Sequence, residues 1–390
     1  GMVEMEKYKL GDICEIVSGS TPKTNIDEYW EGTIKWITPA ELNDDTYIIT
    51  DSVRKITELA VKKTGLKSFP EGTVILSSRA PIGKVAIAGC EMYCNQGFKN
   101  LICSKKINNK YLYWFLKGNT VFLNSLGRGA TFKELSKSIV SNIEINLPDI
   151  VYQKKAVETL EKVSEIIALR KRELSSLDDL IKARFVEMFG DPATNPMRWS
   201  ETTIGDECFY IKDGPHKSLP DIGKENGGHP FISVRNIVNG YIDFSTARYI
   251  SDEDYANAIK KCHPEKGDML YSKGGTTGIA KLIDIDEEFA NWVHVAVLKF
   301  DKSKLNGIFF ENMLNGDYCF EQSQRLTKGI ANRDLVLSAM AQIKMYRPPM
   351  EIQKQFADFV NQVDKSKVAI QKALDKTQML FDSLMQEYFG

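Results

Sequence analysis

Residues 153–190 read QKKAVETLEKVSEIIALRKRELSSLDDLIKARFVEMFG, with no proline and no glycine before Gly190. Apolar side chains recur at alternating intervals of four and three residues, which is the heptad spacing of coiled-coil helices. This heptad seam includes Leu160, Val163, Ile167, Leu174, Leu177 and Ile181. A helix of about 37 residues at about 1.5 Å per residue would be roughly 55 Å long. One small domain could not cover the apolar stripe of such a helix.

The same pattern returns 200 residues later, where Gln353 matches Gln153 and Gly390 matches Gly190. The second half of the heptad seam includes Val360, Val363, Ile370, Leu374, Phe381 and Leu384. Polar residues interrupt the seam at Arg170, Arg184, Lys367 and Thr377. A fixed offset indicates an internal repeat, and the simplest partner for each helix is the other one.

The segments before the two helices also repeat. Leu10-Gly-Asp12 returns as Ile204-Gly-Asp206, and Leu126-Gly-Arg-Gly129 returns as Leu326-Thr-Lys-Gly329. Apolar runs at 73–76, 85–88, 101–103 and 143–147 predict strands, and the aromatic run at 110–117 predicts a short helix. The sequence therefore predicts a tandem duplication in which each mixed α/β globule is followed by a long helix.

Bulk composition is that of an ordinary globular protein of 390 residues with a formal net charge of -1. No apolar run is long enough to span a bilayer, and no signal-peptide core is visible. Seven cysteines at irregular spacing argue against a secreted disulfide framework and favour a reducing cytoplasm.

Motifs for catalysis are weak. The four histidines form no recognisable triad, and Cys90, Cys94 and Cys103 lack the second close pair of a four-ligand zinc site. Pro81-Ile-Gly-Lys84 lacks the Ser or Thr that a phosphate-binding loop needs after its lysine. Arg347-Pro-Pro-Met350 lacks the leading Asn or Asp and the aromatic residue of an amino-methyltransferase motif. We therefore expect no metal, no bound cofactor and no catalytic site in this chain.

Matching glycine-rich loops of both globules carry hydroxyl, amide and basic side chains, which suit contacts with phosphates and base edges. In the first globule the candidate DNA-binding residues are Ser20, Thr21, Lys23, Thr24, Ser77, Ser78, Arg79, Lys84, Arg128, Thr131 and Lys133. In the second they are His216, Lys217, Arg235, Ser272, Lys273, Thr276, Thr277, Lys328, Asn332 and Arg333. The alternative is that these residues lie in solvated turns and do not contact DNA.

The charge of the first globule is nearly balanced. Residues 1–149 contain 19 lysines and arginines against 17 aspartates and glutamates, a difference of +2. Since phosphate neutralisation supplies most of the affinity for DNA, such a domain should bind DNA weakly without partners.

Taken together, these features resemble the specificity (S) subunit of type I restriction–modification systems. The resemblance covers essentially the whole chain. It depends on the paired Leu10-Gly-Asp12 and Ile204-Gly-Asp206 motifs, and on Leu147-Pro-Asp-Ile-Val-Tyr-Gln-Lys154 and Pro348-Pro-Met-Glu-Ile-Gln-Lys354, which lead into the helices.

The resemblance implies an α+β fold with two α/β target-recognition domains in tandem, each followed by a long helix, and the helices paired as an antiparallel coiled coil. We expect recognition domains at 1–148 and 191–347, a central spacer helix at 149–190 and a C-terminal spacer helix at 348–390. Each domain would read half of a split double-stranded DNA site. The helices would set the spacing and dock two methyltransferase (M) subunits, which carry S-adenosylmethionine, and restriction (R) subunits would complete the complex.

Two other classes remain open at this point. One is a self-contained DNA methyltransferase or nuclease fused to recognition domains, against which the missing cofactor motifs argue. The other is a coiled-coil adaptor unrelated to DNA. Apolar residues outside the seam, Ile166, Leu180, Phe185, Phe359 and Met379, predict further partner helices or, alternatively, packing against the globules.

Overall fold

The computed structural model describes residues 5–79, 81–129 and 133–390. The chain forms two compact units: unit 1 comprises Gly1–Lys171 and Ala373–Gly390, and unit 2 comprises Arg172–Lys372. Each unit therefore contains one globular domain and a segment of each long helix. Among the described residues, no helix is long and apolar enough to cross a membrane.

The globular domain of unit 1 is built on two main sheets and one short strand pair. Its strands are β1 (Glu6–Lys9), β2 (Cys14–Ser18), β3 (Trp30–Ile37), β4 (Ile48–Ile49), β5 (Arg54–Ile56), β6 (Val74–Leu76), β7 (Val85–Ala88), β8 (Tyr93–Cys94), β9 (Lys99–Cys103) and β10 (Glu144–Leu147). Its helices are α1 (Leu10–Ile13), α2 (Glu58–Thr64), α3 (Asn109–Gly118), α4 (Thr120–Leu126) and α5 (Lys137–Ser141). The strands and the aromatic helix predicted from apolar runs are present, within two residues of their expected ends.

The sheet orders in this domain are β2-β9-β6-β7-β4, β5-β3-β8 and β1-β10. The largest sheet packs on α3, whose buried face supplies Tyr111, Leu112 and Leu116 to the main core of the unit. Asn108 caps this helix because its side chain accepts hydrogen bonds from the backbone N–H groups of Lys110 and Tyr111, at 2.9 and 3.1 Å.

The globular domain of unit 2 repeats this topology. Its strands are β11 (Ser200–Thr203), β12 (Cys208–Asp213), β13 (His229–Ile232), β14 (Arg248–Ile250), β15 (Met269–Ser272), β16 (Ala280–Leu282), β17 (Ala290–Asn291), β18 (Val295–Phe300) and β19 (Lys344–Arg347). Its first helices are α7 (Ile204–Glu207), α8 (Asp252–Lys261), α9 (Gly307–Asn315), α10 (Asp317–Leu326) and α11 (Leu337–Met340).

The sheet orders of the second domain, β12-β18-β15-β16, β14-β13-β17 and β11-β19, match those of the first domain strand for strand apart from β4. The mixed pairing within the three-stranded sheet is also kept. β13 is antiparallel to β14 and parallel to β17, as β3 is to β5 and β8. The duplication predicted from sequence is therefore a duplication of fold.

The two long helices, Ile150–Phe189 and Met350–Phe389, contain 40 residues each. The first begins one residue after the predicted start of the central spacer helix at 149. Asp149 caps this start, because its carboxylate accepts a hydrogen bond from the backbone N–H of Tyr152 at 2.8 Å. We designate these helices α6 and α12.

Within unit 1, the first part of α6 packs antiparallel to the last part of α12. Tyr152 contacts Tyr388, with ring centroids 6.0 Å apart. Near the other end of this segment, the Arg170 guanidinium donates hydrogen bonds to the Ala373 carbonyl and the Thr377 hydroxyl. Arg170 and Thr377, two of the polar residues that interrupt the heptad seam, are therefore hydrogen-bonded to each other.

Within unit 2, the pairing is again antiparallel, since Phe185 contacts Phe356 at 5.4 Å while Asp178 pairs with Lys367 at 2.6 Å. Every apolar position named above for the heptad seam is buried or half-buried in its unit. Outside the seam, Phe185 is buried and Phe359 half-buried, so of the two alternatives given above these residues follow the second, packing within the protein. They pack in the core of unit 2. Ile166, Leu180 and Met379 are exposed.

A buried glutamine fastens the start of each long helix to its globular domain. The Gln153 amide donates to the carbonyls of Lys106 and Pro148, at 3.1 and 2.8 Å, and accepts from the Asn108 backbone N–H at 2.8 Å. Gln353 repeats all three contacts: it donates to the carbonyls of Lys304 and Pro348 and accepts from the Asn306 N–H. This shared role gives a physical reason for the recurrence of Gln153 as Gln353.

We expect Gln353→Ala to lower the free energy of unfolding by about 2–4 kcal/mol, because buried backbone groups lose their side-chain partner. Urea denaturation monitored by circular dichroism measures this change. Lys354→Ala is the matched control, since Lys354 is exposed on the next position of the helix. Equal stability of the two variants would contradict the fastening role.

Candidate nucleic-acid interface

In the first domain, three separate loop segments meet around the turn at 94–97. The Thr21 hydroxyl donates to the Gln96 side-chain oxygen at 2.6 Å, and the Ser78 backbone N–H donates to the Gly97 carbonyl at 2.8 Å. The Leu135 N–H in turn donates to the Ser78 carbonyl at 2.8 Å. The loops that carry Thr21, Ser78 and Leu135 therefore form one continuous surface region.

In the second domain, the corresponding loops meet in the same way. The backbone N–H of Lys273 donates to the His294 carbonyl, and the Leu335 N–H donates to the Lys273 carbonyl, at 2.8 and 2.7 Å. Asp213, at the end of β12, lies 3.6 Å from the Lys273 ammonium and 3.8 Å from the His216 ring. The loops carrying His216, Lys273 and Leu335 are thus neighbours.

The sequence-predicted residues differ in exposure. Those with exposed side chains are Ser20, Thr21, Lys23, Thr24, Arg79, Arg128, Lys133, His216, Lys217, Arg235, Thr276, Lys328, Asn332 and Arg333. Lys84 is half-buried, and its ammonium donates to the Pro39 carbonyl at 3.1 Å. Thr131 lies outside the described residues. Ser77, Ser78, Ser272, Lys273 and Thr277 are buried.

Burial gives Ser77 and Ser272 a structural role in place of the predicted DNA contact. The Ser77 hydroxyl accepts from the Lys84 N–H at 2.9 Å, and Ser272 accepts from the Ile279 N–H at 2.8 Å. In each case the hydroxyl closes a loop that turns at a glycine of positive φ, Gly83 or Gly278. A side chain enclosed in this way cannot touch DNA in this conformation.

The other three buried candidates are also engaged inside the protein. The Lys273 ammonium is 2.9 Å from the Asp334 carboxylate. The Thr277 hydroxyl lies 2.9 Å from that of Thr327, and the Ser78 hydroxyl accepts from the Lys99 ammonium at 3.4 Å. Burying a lysine requires such pairing, so we remove these side chains from the set of direct DNA contacts.

A short hairpin with a basic residue at its base recurs in both domains. Arg128 and Glu134 exchange two backbone hydrogen bonds of 3.1 and 2.9 Å, and Lys328 and Asp334 exchange two of 2.9 Å. The acidic residue also binds a neighbouring cation, since Glu134 pairs with Arg79 at 3.2 Å. The backbone pairing therefore fixes Arg128 and Lys328 at the base of each hairpin.

Sequence reasoning missed one basic residue in each domain. The Arg54 guanidinium lies 3.6 Å from the centroid of the Trp30 ring, and that of Arg248 lies 5.6 Å from the Trp292 ring. Both arginines begin the strand at the same edge of the three-stranded sheet. The offset of 194 between Leu10 and Ile204 also aligns Arg54 with Arg248, so the repeat could have revealed them.

Thiol chemistry is not favoured by the surroundings of the cysteines. Burial raises the pKa of Cys94 to about 12, and its sulfur accepts a hydrogen bond from the Asn100 amide at 3.1 Å. Burial likewise raises the pKa of Cys262. Within residues 5–79, 81–129 and 133–390, no group of three or more His, Cys, Asp or Glu could hold a metal ion.

Comparison with known proteins points to one family. The family described as Type I restriction modification DNA specificity domain matches residues 2–178 and 196–377. The type I restriction enzyme MjaIX specificity subunit of Methanocaldococcus jannaschii is 30% identical over 395 residues, covering 97% of this chain and 90% of the relative. The MjaVIII specificity subunit of the same organism is 23% identical over 402 residues, covering 97% and 92%.

Solved structures agree on the fold. The type I restriction–modification S subunit from M. genitalium gives a TM-score of 0.60 at 15% identity, covering 100% of this chain and 96% of that one. A chain from a study of assembly and conformational transition of the type I system gives 0.58 at 17% identity, covering 100% and 99%. The predicted architecture of tandem domains and long helices is confirmed.

Proposed function

This chain belongs to the family of type I restriction–modification DNA specificity subunits, and from that premise we propose that its two globular domains read the two halves of a bipartite DNA site. The observation that carries the proposal is a shared fold with different exposed loops. Where the first domain has Arg79, the second has Gly274, and Lys133 is matched by Arg333. Equivalent frames with different surface chemistry suit two different half-sites.

The exposed loop residues can make two kinds of contact with DNA. Lys and Arg neutralise phosphates and set the register of the domain on the duplex, whereas Arg, Asn and Lys side chains that reach base edges select the sequence. Because the first domain is nearly neutral, the affinity of the whole assembly must draw on other basic surfaces. Double-stranded DNA is therefore expected to bind tightly only when partner subunits are present.

The partners we propose are two methyltransferase subunits, with restriction subunits in the full complex. Exposed apolar residues of the long helices support docking of partner helices: in unit 1 Ile166, Leu169 and Met379, and in unit 2 Leu180 and Val368. S-adenosylmethionine would be bound by the methyltransferase subunits, and this chain would supply recognition in the cytoplasm. A self-contained enzyme or an adaptor unrelated to DNA gains no support from the family match.

We expect Arg79→Ala and Lys133→Ala to weaken DNA binding while assembly with methyltransferase subunits is unaffected. Loss of a base-edge contact costs about 1–3 kcal/mol at one position, whereas loss of a phosphate contact weakens all sequences and lowers the salt slope by about one. Binding of labelled duplexes to the reconstituted complex at two salt concentrations distinguishes these results.

Lys133→Ala is the cleaner of the two variants, because Arg79 also pairs with Glu134 and its loss disturbs the hairpin. Lys63→Ala provides a control with the same loss of charge, since Lys63 is an exposed residue of α2. If both loop variants bind as tightly as this control at both salt concentrations, this surface does not contact DNA.

A further inference from the structure

The side chain of Arg54 lies on a pair of tryptophan rings. Its guanidinium is 3.6 Å from the centroid of Trp30 and 5.5 Å from that of Trp36. The two rings meet edge to face, with centroids 5.1 Å apart, and both are buried. Since an arginine on the face of a tryptophan is held by cation–π attraction, the plane of this guanidinium has a preferred orientation.

The same tryptophans hold the loop at 20–24. The Trp36 indole N–H donates to the Ser20 carbonyl at 3.1 Å, and the Trp30 indole N–H donates to the Lys23 carbonyl at 3.3 Å. Arg54 therefore lies beside the loop that carries four of the exposed DNA-binding candidates. Among the described residues, no carboxylate lies within ion-pair distance of Arg54, and its side chain is exposed.

The second domain also places an arginine beside a tryptophan ring, but the ring comes from a different segment of the fold. Arg248 occupies the position of Arg54, but Trp292, which follows β17, supplies the ring. The Arg248 guanidinium also donates to the Ser218 hydroxyl at 3.2 Å, in the loop that follows β12. An arginine within cation–π distance of a tryptophan ring is present in both domains although different segments supply the ring, which favours a role for the arginine itself.

We propose that Arg54 and Arg248 each read a guanine in the half-site of their own domain. This inference rests on the proposed function and names two specificity-determining residues within it. A guanidinium offers paired N–H donors that match O6 and N7 of guanine in the major groove. Stacking restricts the side chain before binding, so less conformational freedom is lost when both hydrogen bonds form.

A phosphate contact explains the arrangement less well. A phosphate can be bound by the point charge of a lysine as well as by the fork of an arginine, so a phosphate contact does not require a side chain held on tryptophan rings. The tryptophan faces add orientation, which is useful when two parallel hydrogen bonds must meet the edge of one base. The two kinds of contact are separated by the pattern of loss in Arg54→Lys, which is confined to one base pair for a base contact and uniform over all sequences for a phosphate contact.

The test uses the full-length chain, expressed with methyltransferase subunits that assemble with it, and sequencing of the methylated motif. We expect Arg54→Lys to reduce discrimination at one G·C pair of one half-site by about 5- to 150-fold, the range for one good bidentate pair. Arg248→Lys should have this effect in the other half-site only. Lys62→Ala, which removes an exposed cation from α2, should leave the motif unchanged.

Two results would overturn the inference. One is an unchanged motif in both Arg54→Lys and Arg54→Ala, with normal methylation of every site. The other is a uniform loss of binding in Arg54→Ala that Arg54→Lys restores, because that result identifies a phosphate contact. Co-purification of methyltransferase subunits shows that the variants are folded and assembled. If exchanging a whole domain also leaves the motif unchanged, the proposed function fails rather than this inference alone.

Discussion

Exchange of residues 197–346 for the corresponding domain of a relative is expected to replace one half of the methylated motif and leave the other half as it was. The two units have separate hydrophobic cores, so a new second domain need not disturb the first. The two domains share one fold, but their exposed loop residues differ. Sequencing of methylated DNA from cells that express the hybrid with methyltransferase subunits measures both halves at once.

The core of unit 2 constrains the choice of donor domain. Phe309 of the exchanged domain packs against Phe185 and Phe189 of the retained helix α6, with ring centroids 5.8 and 4.8 Å away. The donor domain should therefore carry an aromatic residue at position 309. It also needs an acidic residue at position 207, because retained Arg347 pairs with the Glu207 carboxylate at 2.9 Å.

The reciprocal exchange of residues 1–148 is the matched control and should change only the opposite half of the motif. A hybrid that assembles normally but changes both halves would show that the domains do not read DNA independently. The proposal of one half-site per domain would then be wrong.

Sequence periodicity was sufficient to predict the long helices, because an apolar stripe of heptad spacing has few other structural solutions. It also located the repeat, since the seam and the flanking Gln and Gly residues recur at one offset. The start of the first helix depends on other signals, because Pro148 and the capping Asp149 place it before the first seam position. Periodicity reports buried faces and carries little information about caps.

The surface loops were harder to predict because polarity alone does not decide exposure. Lys273 looks like a DNA contact in sequence, but its ion-pair partner Asp334 lies 61 residues further along the chain. Arg54 is similarly separated from Trp30 along the chain, and the two meet only when β3 and β5 pair. Contacts of this kind depend on the sheet topology, which local patterns do not contain.

Insertion of four residues after Ser175 is expected to preserve both half-sites and to lengthen the gap between them. Four residues add about 6 Å of helix and rotate the rest of the helix by about 40° relative to a full turn. At about 3.4 Å per base pair, this corresponds to roughly one to two additional base pairs. The heptad seam can absorb four residues as a stutter through local unwinding.

The antiparallel pairing in unit 2 identifies the matching insertion site on the other helix. Asp178 pairs with Lys367, so Ser175 lies near the level of Ile370 on α12. A second variant with four residues inserted after both Ser175 and Ile370 keeps the two helices matched in length. It should show the longer gap at least as clearly as the single insertion, because neither helix must loop out to remain paired.

The same four residues inserted into the linker at 191–196 provide the control, because they lengthen the chain without lengthening either helix. That variant should retain the original gap, whereas the helix insertions should methylate only the lengthened site. Sequencing of methylated DNA reports the gap directly, and co-purification of methyltransferase subunits establishes that each variant assembles. If assembled helix-insertion variants modify DNA only at the original gap, the spacing of the half-sites is set by contacts other than the paired helices.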